Sequence, residues 1–565
     1  MRQITLGNNA IQLHCHYEDR EIAKTVPGHK WNKADRAWEY PIRPETYTKL
    51  VEMFPGVRVD RQVITAITQV AEREAAVAQA KVQGWEGVEP VEPMPIKSKP
   101  FAHQILGHNL GLFLPNVAFF QDMGTGKTIT SISVAGRRYL RGEIKRLLVV
   151  APNSVVPNWE VEFGLHAAFP YEVKILDGAI TKRCEILEGW KENPSVLQVA
   201  VVNYEGVRMM IPRDKRGWRV DQSPFAIWVP DMIICDEAQK LKEPGSLQSK
   251  ALDKVGALAK YRLALSGAPV VNTPLNLFGI YRFLDKSIFG GSYSSFRSRY
   301  AVMGGFGGHQ VLGHKNLDEL ILKAHSIAYR VRKEECLDLP ETMEEVRYCE
   351  LESKAAGIYR QMAKESVAEI SEERRITATN VLSRLLRLSQ VTGGYIDNVQ
   401  VSSSKMVLLE EVIEDVLEEG SKPVIFARFL SELSAIRTLL EKKEIPYVWI
   451  AGEVPQAERQ EAVQKFQNDP ECKVFLSQLQ VGGLGLTLTA SNVMIFYSLD
   501  YSYANFDQAK CRINRIGQKR NCLYLYLVAK GTIDEKVLKV LQAKKSMAEA
   551  IVDDWRSYFD TRKGS

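Results

Sequence analysis

Several features that define other classes of protein are missing from this sequence. Its eight cysteines are scattered and none belongs to a CxxC pair, which predicts reduced, buried thiols rather than a disulfide framework. No apolar run approaches the roughly 20 residues that span a bilayer. The start, Met1–Leu6, is followed by polar residues, which predicts no signal peptide. We therefore expect a cytoplasmic protein that is neither secreted nor embedded in a membrane.

The sequence also lacks an internal repeat and a strong charge of either sign. Its net charge is +6 over 565 residues, and 45% of the residues are apolar. Such a composition is ordinary for a globular protein and argues against wholesale disorder. It permits nucleic-acid binding without predicting it, because a local basic groove matters more than the total charge. The length suffices for about three or four domains.

The first hundred residues form two stretches of different character. Residues 1–62 contain Trp31 and Trp38 near their middle and predict a small, compact α+β module. Residues 63–99 begin with an Ala- and Glu-rich run that predicts a helix, and they end in a Pro-rich stretch typical of a linker. The N-terminal module is therefore expected to be separable from the rest of the chain.

From residue 100 onward, short β-branched runs alternate with helical stretches. Continuous apolar strands separated by helices predict parallel sheets that are buried on both faces. The strands are too many for one compact sheet, so we predict an α/β fold of two lobes, at residues 100–285 and 346–565, with a helical insertion at 286–345. The predicted strands include Val117–Phe120, Arg146–Ala151, Val199–Asn203, Met232–Cys235, Tyr261–Leu265, Val424–Phe429, Tyr447–Ile450, Lys473–Leu476, Val493–Tyr497 and Leu523–Val528.

The most specific local signal follows an apolar run and precedes a predicted helix. It is the segment DMGTGKT, in which Gly124, Thr125 and Gly126 lead into Lys127 and Thr128. Glycine-rich backbone at a helix N-terminus aims amides at phosphates, the lysine adds a point charge, and the threonine hydroxyl binds Mg²⁺. The segment therefore predicts a nucleotide phosphate loop. The alternative is a turn that contains Gly-Lys-Thr by chance.

Two adjacent carboxylates follow another predicted strand. The apolar run Met232–Cys235 delivers Asp236 and Glu237 to the end of that strand. One carboxylate there can hold Mg²⁺ through water, and its neighbour can orient or deprotonate an attacking water. We assign Asp236, together with Thr128, to the metal and Glu237 to the water. The alternative is a surface Asp-Glu pair, which the upstream phosphate loop disfavours.

With these two elements, the sequence resembles the superfamily 2 helicase-like ATPases, and the Swi/Snf family in particular. The resemblance covers roughly residues 100–545 and implies two RecA-like lobes with ATP between them. It implies that Gln104 recognises adenine. It also implies that Pro152, Asn153 and Trp159 belong to a motif that positions backbone against a nucleic-acid strand.

A further segment of the first lobe, Leu265–Asn272, resembles the Ser-Gly-Thr-Pro motif that couples hydrolysis to lobe movement in this family. Ala268 stands where the family has Thr, and Gln239 stands where the family often has His. Both departures concern coupling more than phosphate chemistry, so hydrolytic activity is still expected.

The second lobe carries the counterpart motifs. A glycine-rich stretch resembles the motif that contacts both nucleic acid, through Gly482 and Gly483, and nucleotide, through Gly485. Arg512 and Arg515 lie in the segment RINRIGQ, and in the family such arginines reach across the cleft as fingers to the γ-phosphate of ATP. Their spacing places both on one face if the segment is helical.

The N-terminal module is similar to the HepA-related module of annealing helicases. The spacing of Gly28, Trp31, Trp38 and Pro41 carries the similarity. It implies DNA binding, in which Trp31 and Trp38 stack on unpaired bases. The alternative is that both tryptophans belong to the core of a small domain, and the two interpretations can hold together.

The resemblance as a whole implies an ATP hydrolase that uses ATP and Mg²⁺ and moves on duplex or branched DNA, as in fork remodelling or strand annealing during DNA repair. Association with the nucleoid fits that role. Two alternatives stay open: an RNA-directed superfamily 2 helicase, and a DNA-bound scaffold that uses ATP as a clamp without hydrolysing it. The sequence identifies no protein partner and is compatible with a monomer.

Overall fold

The computed structural model describes an N-terminal module followed by two lobes, each built on its own sheet. The described residues are 2–7, 10–26, 28–215, 217–308, 310–372, 378–396, 399–481 and 486–552. Within these ranges, the helices are all too short or too polar to cross a membrane.

A small sheet covered by helices forms the N-terminal module. Its elements are β1 (Gln3–Gly7), β2 (Ala10–His14), α1 (Arg20–Thr25), β3 (Lys30–Asn32), β4 (Ala37–Tyr40), α2 (Pro44–Met53), β5 (Arg58–Val59) and α3 (Arg61–Gln83). The strand order is β3-β4-β2-β1-β5, and only β1 and β5 run parallel. Ile4 and Leu13 face each other across β1 and β2 in the core, where Val63 and Ile67 of α3 join them. The module therefore extends into α3, and the predicted boundary at residue 62 is too early.

The Pro-rich stretch after α3 lies against the first lobe. The Asn109 side chain accepts a hydrogen bond from the Val91 amide at 3.0 Å and donates one to the Glu89 carbonyl at 2.9 Å. Arg137 Nε donates to the Pro93 carbonyl at 3.0 Å. The stretch predicted to be a linker is thus part of the surface of the first lobe, because its proline-rich backbone leaves carbonyls that neighbouring side chains bind.

A seven-stranded parallel sheet forms the centre of lobe 1. Its elements are α4 (Ala102–Phe113), β6 (Asn116–Gln121), α5 (Lys127–Leu140), β7 (Arg146–Ala151), α6 (Val156–His166), β8 (Tyr171–Ile175), α7 (Ile180–Glu188), β9 (Leu197–Asn203), α8 (Tyr204–Met209), the short strands β10 (Arg213–Asp214) and β11 (Gly217–Trp218), β12 (Met232–Cys235), α9 (Leu247–Gly256), β13 (Tyr261–Ser266), α10 (Leu277–Leu284), α11 (Lys286–Phe289), α12 (Tyr293–Tyr300), β14 (Ala301–Gly304), β15 (Gln310–His314), α13 (Leu317–His325) and β16 (Ala328–Val331). The strand order is β16-β6-β13-β12-β7-β9-β8. Since all neighbours are parallel, the carboxyl ends of β6, β13, β12, β7 and β9 meet at one edge of the sheet.

The region predicted to be a helical insertion is not separate from lobe 1. It contains helices and the β14–β15 hairpin, but its last strand, β16, pairs with β6 and completes the lobe 1 sheet. The predicted end of lobe 1 at residue 285 is therefore wrong. The strand escaped prediction because Arg330 interrupts its apolar pattern, although the structure buries that residue.

Lobe 2 is built on a six-stranded parallel sheet. After α14 (Lys333–Cys336), its elements are β17 (Thr342–Cys349), α15 (Ser353–Glu372), α16 (Ala378–Thr392), the short strands β18 (Tyr395–Ile396) and β19 (Val399–Gln400), α17 (Ser404–Glu418), β20 (Pro423–Ala427), α18 (Leu430–Lys442), β21 (Tyr447–Ile450), α19 (Gln456–Asn468), β22 (Val474–Gln478), β23 (Val493–Phe496), α20 (Tyr503–Lys510), β24 (Cys522–Ala529) and α21 (Ile533–Val552). The order is β17-β24-β23-β20-β22-β21. The predicted α/β fold of two parallel-sheet lobes is confirmed, and lobe 2 begins at Thr342, slightly before the predicted boundary at residue 346.

The two lobes touch through polar side chains. Lys544 of α21 donates to the Asn272 side chain at 2.8 Å, just beyond the carboxyl end of β13. Lys333, after β16, lies with its ammonium 3.8 Å from the Cys511 sulfur of lobe 2. These contacts hold the carboxyl edge of the lobe 1 sheet against lobe 2, which is where the predicted site residues lie.

Candidate functional site at the interface of the lobes

The predicted phosphate loop joins β6 to α5 at the carboxyl edge of the lobe 1 sheet. Gly124 and Gly126 have φ angles of +86° and +90°, which side chains rarely adopt. Lys127 opens α5, and its ammonium donates to the carbonyls of Gln121 and Asp122 at 2.8 and 3.1 Å. The lysine is therefore folded back over a loop of backbone amides at a helix N-terminus, which is the architecture that binds phosphates.

Gln104 packs against the phosphate loop from inside the protein. Its amide nitrogen donates to the Thr125 carbonyl at 3.1 Å, and its amide oxygen accepts from the Phe101 backbone at 3.0 Å. His103 bonds the same Thr125 carbonyl at 2.7 Å. Gln104 is buried, with both ends of its amide occupied inside the protein. It therefore supports the phosphate loop, and adenine recognition by this side chain stays a prediction.

The loop is also fixed by the strand that the sequence did not predict. Asp122 Oδ1 accepts a hydrogen bond from Arg330 of β16 at 2.6 Å, and its Oδ2 accepts from the Lys333 backbone at 3.0 Å. The basic residues around position 330 thus serve, in part, to anchor the phosphate loop. No motif in the sequence analysis indicated this role.

Asp236 lies at the end of β12, buried among hydrogen-bond donors. Its Oδ1 accepts from the Glu237 amide at 2.9 Å, and its Oδ2 accepts from the Trp159 indole at 3.1 Å. The Tyr204 hydroxyl donates to its backbone carbonyl at 2.7 Å. Burial and the charge of Glu237 raise the pKa of Asp236 to about 7, while the Lys127 ammonium opposes the rise. A cation at this position is therefore favoured.

Trp159 is fully buried, in contrast to its predicted place in a nucleic-acid contact. It lies in the first turn of α6 with its indole directed at Asp236, so it touches the ATP side of the lobe and presents no surface to a nucleic acid. Its burial argues against a direct contact of the side chain, and the role of its motif in positioning backbone against a nucleic acid stays a prediction.

Glu237 begins a tight turn that links the carboxylates to the end of β13. Gln239 Nε2 donates to Glu237 Oε2 at 2.6 Å, and Ser266 Oγ donates to Gln239 Oε1 at 2.6 Å. Gln239, which stands where the family often has His, is thus the bridge between the Glu237 carboxylate and Ser266 at the end of β13. The substitution keeps the hydrogen-bonded connection because an amide both donates and accepts.

Arg512 and Arg515 face the phosphate loop from lobe 2. Their guanidinium groups donate to the Leu486 carbonyl at 3.5 and 3.1 Å, and Arg512 Nη2 lies 3.9 Å from the Met123 sulfur. A Cβ built on Gly124 would lie 3.7 Å from that of Arg515. Helix α20 ends at Lys510, so the arginines lie in turns, and the predicted helical face is not formed. Burial lowers the pKa of Arg512 to about 10, so it keeps its charge at neutral pH.

The residues at this interface fit a Mg²⁺–nucleotide complex. Burial lowers the pKa of Lys127, and the carboxylates of Glu237 and Asp236 oppose that shift. In the described part of the chain, no cluster of three or more metal-binding side chains occurs. A Mg²⁺ ion bound with phosphates needs only one or two carboxylates and several waters, so Asp236 and Thr128 suffice as its protein contacts.

A groove of about 500 Å³ lies at the carboxyl ends of β7 and β9, on the same edge of the sheet as the phosphate loop. Its lining combines residues of both lobes: Pro152, Asn153, Ser154, Asn203, Tyr204, Glu205 and Lys240 from lobe 1, and Arg459 from lobe 2. Of the predicted nucleic-acid contacts, Pro152 and Asn153 line it. Sequence reasoning missed Lys240 and Arg459, since single basic residues on a turn and on α19 carry no motif.

The other predicted nucleic-acid contacts have different outcomes. Trp38 is only 9% exposed and packs in the core of the N-terminal module, which agrees with the alternative interpretation of this residue as a core side chain. Trp31, on the edge strand β3, is 46% exposed, and its ring meets Trp38 edge-on at 5.2 Å. Stacking on bases remains a prediction. The three glycines at 482, 483 and 485 lie outside the described residues.

Two family models match the chain. Residues 112–393 match the SNF2-related domain, and residues 404–517 match the helicase conserved C-terminal domain. The chain belongs to the SNF2 family. The first match contains the SNF2 phosphate loop and the two carboxylates, and the second contains Arg512 and Arg515, so both halves of the interface described above fall within the matched ranges.

Curated proteins of several organisms are similar to this chain. The DNA repair and recombination protein RAD54-like of Drosophila yakuba is 26% identical over 481 residues, which cover 77% of this chain and 59% of that protein. The SWI/SNF-related matrix-associated actin-dependent regulator of chromatin subfamily A containing DEAD/H box 1A of Danio rerio is 25% identical over 492 residues, covering 77% and 49%. The chain thus spans about half the length of the curated relatives it matches. A solved structure, the Sulfolobus solfataricus SWI2/SNF2 ATPase core in complex with dsDNA, is 28% identical, covers 85% of this chain and 97% of its own, and has a TM-score of 0.38.

Proposed function

We propose that this SNF2-family chain hydrolyses ATP with Mg²⁺ and couples hydrolysis to movement along duplex DNA. The observation that carries the proposal is the approach of Arg512 to Met123, because it brings lobe 2 arginines onto the lobe 1 phosphate loop. The ATP site is complete only when the lobes are together. Hydrolysis is therefore tied to the closing and reopening of the lobes, which is the stroke of a translocase.

Each residue of the site has a separate part in this proposal. Lys127 and the loop amides bind the phosphates, and Thr128 and Asp236 hold Mg²⁺. Bound Mg²⁺ would neutralise charge on the phosphate oxygens. Glu237 orients the attacking water and accepts its proton. Arg512 and Arg515 stabilise the charge that develops on the transferred phosphoryl group.

The groove at the carboxyl ends of β7 and β9 supports a nucleic acid as the track. Lys240 and Arg459 place positive charge on it from both lobes, and such side chains bind backbone phosphates without reading sequence. DNA is favoured over RNA by the RINRIGQ segment, which resembles that of the Swi/Snf family. A relative named as a DNA repair and recombination protein agrees with this choice.

The N-terminal module supports a preference for branched DNA. Exposed Trp31 can stack on unpaired bases at a fork or gap, and Lys30 on the same strand is also exposed. We therefore propose fork remodelling or strand annealing during DNA repair as the role of the protein, at the nucleoid or elsewhere in the cytoplasm.

Steady-state phosphate release tests the proposal against its two alternatives. The chain is assayed alone and with linear duplex DNA, forked DNA and duplex RNA, and Lys127→Ala serves as the inactive control. We expect strong stimulation by DNA and little by RNA. Stronger stimulation by RNA would establish the RNA-directed alternative. Tight ATP and DNA binding without phosphate release would establish the clamp.

A further inference from the structure

Two aromatic residues donate hydrogen bonds to Asp236, and both lie in the first turn of helices that begin next to the groove. Trp159 donates to its Oδ2 at 3.1 Å, and the Tyr204 hydroxyl donates to its backbone carbonyl at 2.7 Å. Trp159 is fully buried and Tyr204 is 1% exposed. Neither side chain therefore offers appreciable surface to a ligand, and what both contact in common is Asp236.

The chain connects both donors directly to the groove. The groove residues Pro152–Ser154 precede α6, and Trp159 lies in the first turn of that helix. Asn203 caps α8, and Tyr204 is the first residue of that helix. The Asn203 side chain also donates to the Asn153 side chain at 3.4 Å, which joins the two segments. A ligand that moves either segment moves both donors.

We propose that Trp159 and Tyr204 are positioning residues that couple occupation of the groove to the orientation of the Asp236 carboxylate. The inference rests on the proposed function, since it takes the occupant of the groove to be DNA. Both carboxylate oxygens have a donor, from the Glu237 amide and from Trp159. The indole therefore fixes the rotation of the carboxylate, as outer hydrogen bonds do for metal ligands in general.

Conservative changes in these donors test the proposal. Trp159→Phe removes the indole N–H and keeps an aromatic ring, and Tyr204→Phe removes only a hydroxyl. We expect the DNA-stimulated ATPase rate of Trp159→Phe to fall roughly 10- to 100-fold, and that of Tyr204→Phe to fall less. The dissociation constant for duplex DNA should not change, because Trp159 is fully buried and Tyr204, although it borders the groove, is only 1% exposed.

Lobe 1 supplies matched controls for both variants. Trp190 Nε1 donates to Glu172 Oε2 at the same distance, 3.1 Å, and the buried Tyr281 hydroxyl donates to the Ala324 carbonyl at 2.5 Å. Neither residue lies at the groove or the phosphate loop. Trp190→Phe and Tyr281→Phe should therefore keep the parent rate with and without DNA.

A second measurement uses the parent protein and does not depend on hydrolysis. The indole N–H resonance of Trp159 can be assigned in a ¹H–¹⁵N spectrum by its loss in Trp159→Phe. We expect duplex DNA, added without nucleotide, to shift this resonance and to leave that of Trp190 in place. A Trp159 resonance indifferent to DNA, or full DNA stimulation of Trp159→Phe, would overturn the coupling alone. A parent rate that DNA does not stimulate would overturn the proposed function, and the coupling with it.

Discussion

Glu237 has a left-handed backbone conformation, with φ of +50° and ψ of +52°. That region is costly for a residue with a side chain, and such strain persists where the surroundings hold it in place. Here Gln239 donates to the Glu237 carboxylate, and Ser266 donates to Gln239 in turn. We infer that the turn is built to place one carboxylate and that its geometry serves chemistry more than stability.

Replacement of Glu237 by Gln should separate binding from turnover. The amide keeps the size of the side chain but cannot accept a proton from water, so turnover should fall roughly 10²- to 10⁴-fold. Affinity for a fluorescent ATP analogue should stay close to that of the parent. Glu243→Gln, at an exposed position nearby, is the control and should behave as the parent. Parental turnover in the Glu237→Gln variant would remove Glu237 from its assigned role.

Loss of either guanidinium at the lobe interface should lower kcat far more than ATP affinity. In the proposed function, Arg512 and Arg515 act on charge that develops in the closed state, and arginine fingers supply roughly 10³- to 10⁵-fold in rate. The measurement is kcat and KM for ATP under saturating DNA for Arg512→Ala and Arg515→Ala. Arg520→Ala removes an exposed guanidinium from the same segment and should leave both constants unchanged. Unchanged kcat in both finger variants would refute the two-lobe site.

At this scale, local motifs predicted the site better than they predicted its surroundings. Lys127, Asp236 and Glu237 lie at one edge of the sheet as expected, because phosphate loops and carboxylates at strand ends are defined by neighbours in sequence. Gln104 and Trp159 matched the family pattern, yet both are buried in the structure. Gln104 donates a hydrogen bond to the Thr125 carbonyl of the phosphate loop, and Trp159 donates one to Asp236. Burial is set by packing between distant elements, so no local pattern could have shown it.

Among the elements, strands with a mainly apolar sequence were predictable, and two edge strands with charged residues were not. The bounds of β7, β12 and the edge strand β21 agree with the sequence prediction, since each is a run of mainly apolar residues. Edge strands β16 and β17 carry charged residues, and no residue of β17 is buried, so the apolar pattern is lost. The boundaries of both lobes were misplaced for that reason.

The groove at the carboxyl ends of β7 and β9 should give DNA binding a steep dependence on salt. Each phosphate contact on duplex DNA contributes about −0.9 to the slope of log affinity against log salt. Lys240→Ala and Arg459→Ala should each make the slope shallower by about one unit. Lys260→Ala, at the amino end of β13 and thus at the opposite edge of the sheet, is the control. Slopes unaffected by the groove variants would place the DNA elsewhere.

At the scale of the whole molecule, the contacts between the N-terminal region and lobe 1 determine which truncations leave the lobes intact. The sequence predicted a separable module that a helix and a Pro-rich linker join to the lobes. The structure shows that Val91 and Pro93 are bound to lobe 1, while the module itself touches that lobe through Arg43 and Ser287 at 2.8 Å. Truncations before and after the bound stretch should therefore have different effects.

Deletion of residues 1–84 should leave ATPase activity with linear duplex DNA and abolish the preference for forked DNA. The lobes and the bound Pro-rich stretch stay intact, whereas exposed Trp31 is lost. The measurement is the ratio of affinities for forked and linear duplex, compared with the full chain. Deletion of residues 1–95 should also lower the melting temperature, because it strips Val91 and Pro93 from lobe 1. An unchanged affinity ratio would indicate that the module has another task.

Because Cys511 lies where Lys333 of lobe 1 contacts lobe 2, the reactivity of its thiol can be used to measure separation of the lobes. The Cys511 thiol is buried where the lobes meet, and burial raises its pKa, so alkylating reagents meet an inaccessible and protonated sulfur. Parting of the lobes would expose it. The rate at which an added reagent alkylates Cys511 then reports the fraction of time that the molecule spends open, and no residue has to be introduced for the measurement.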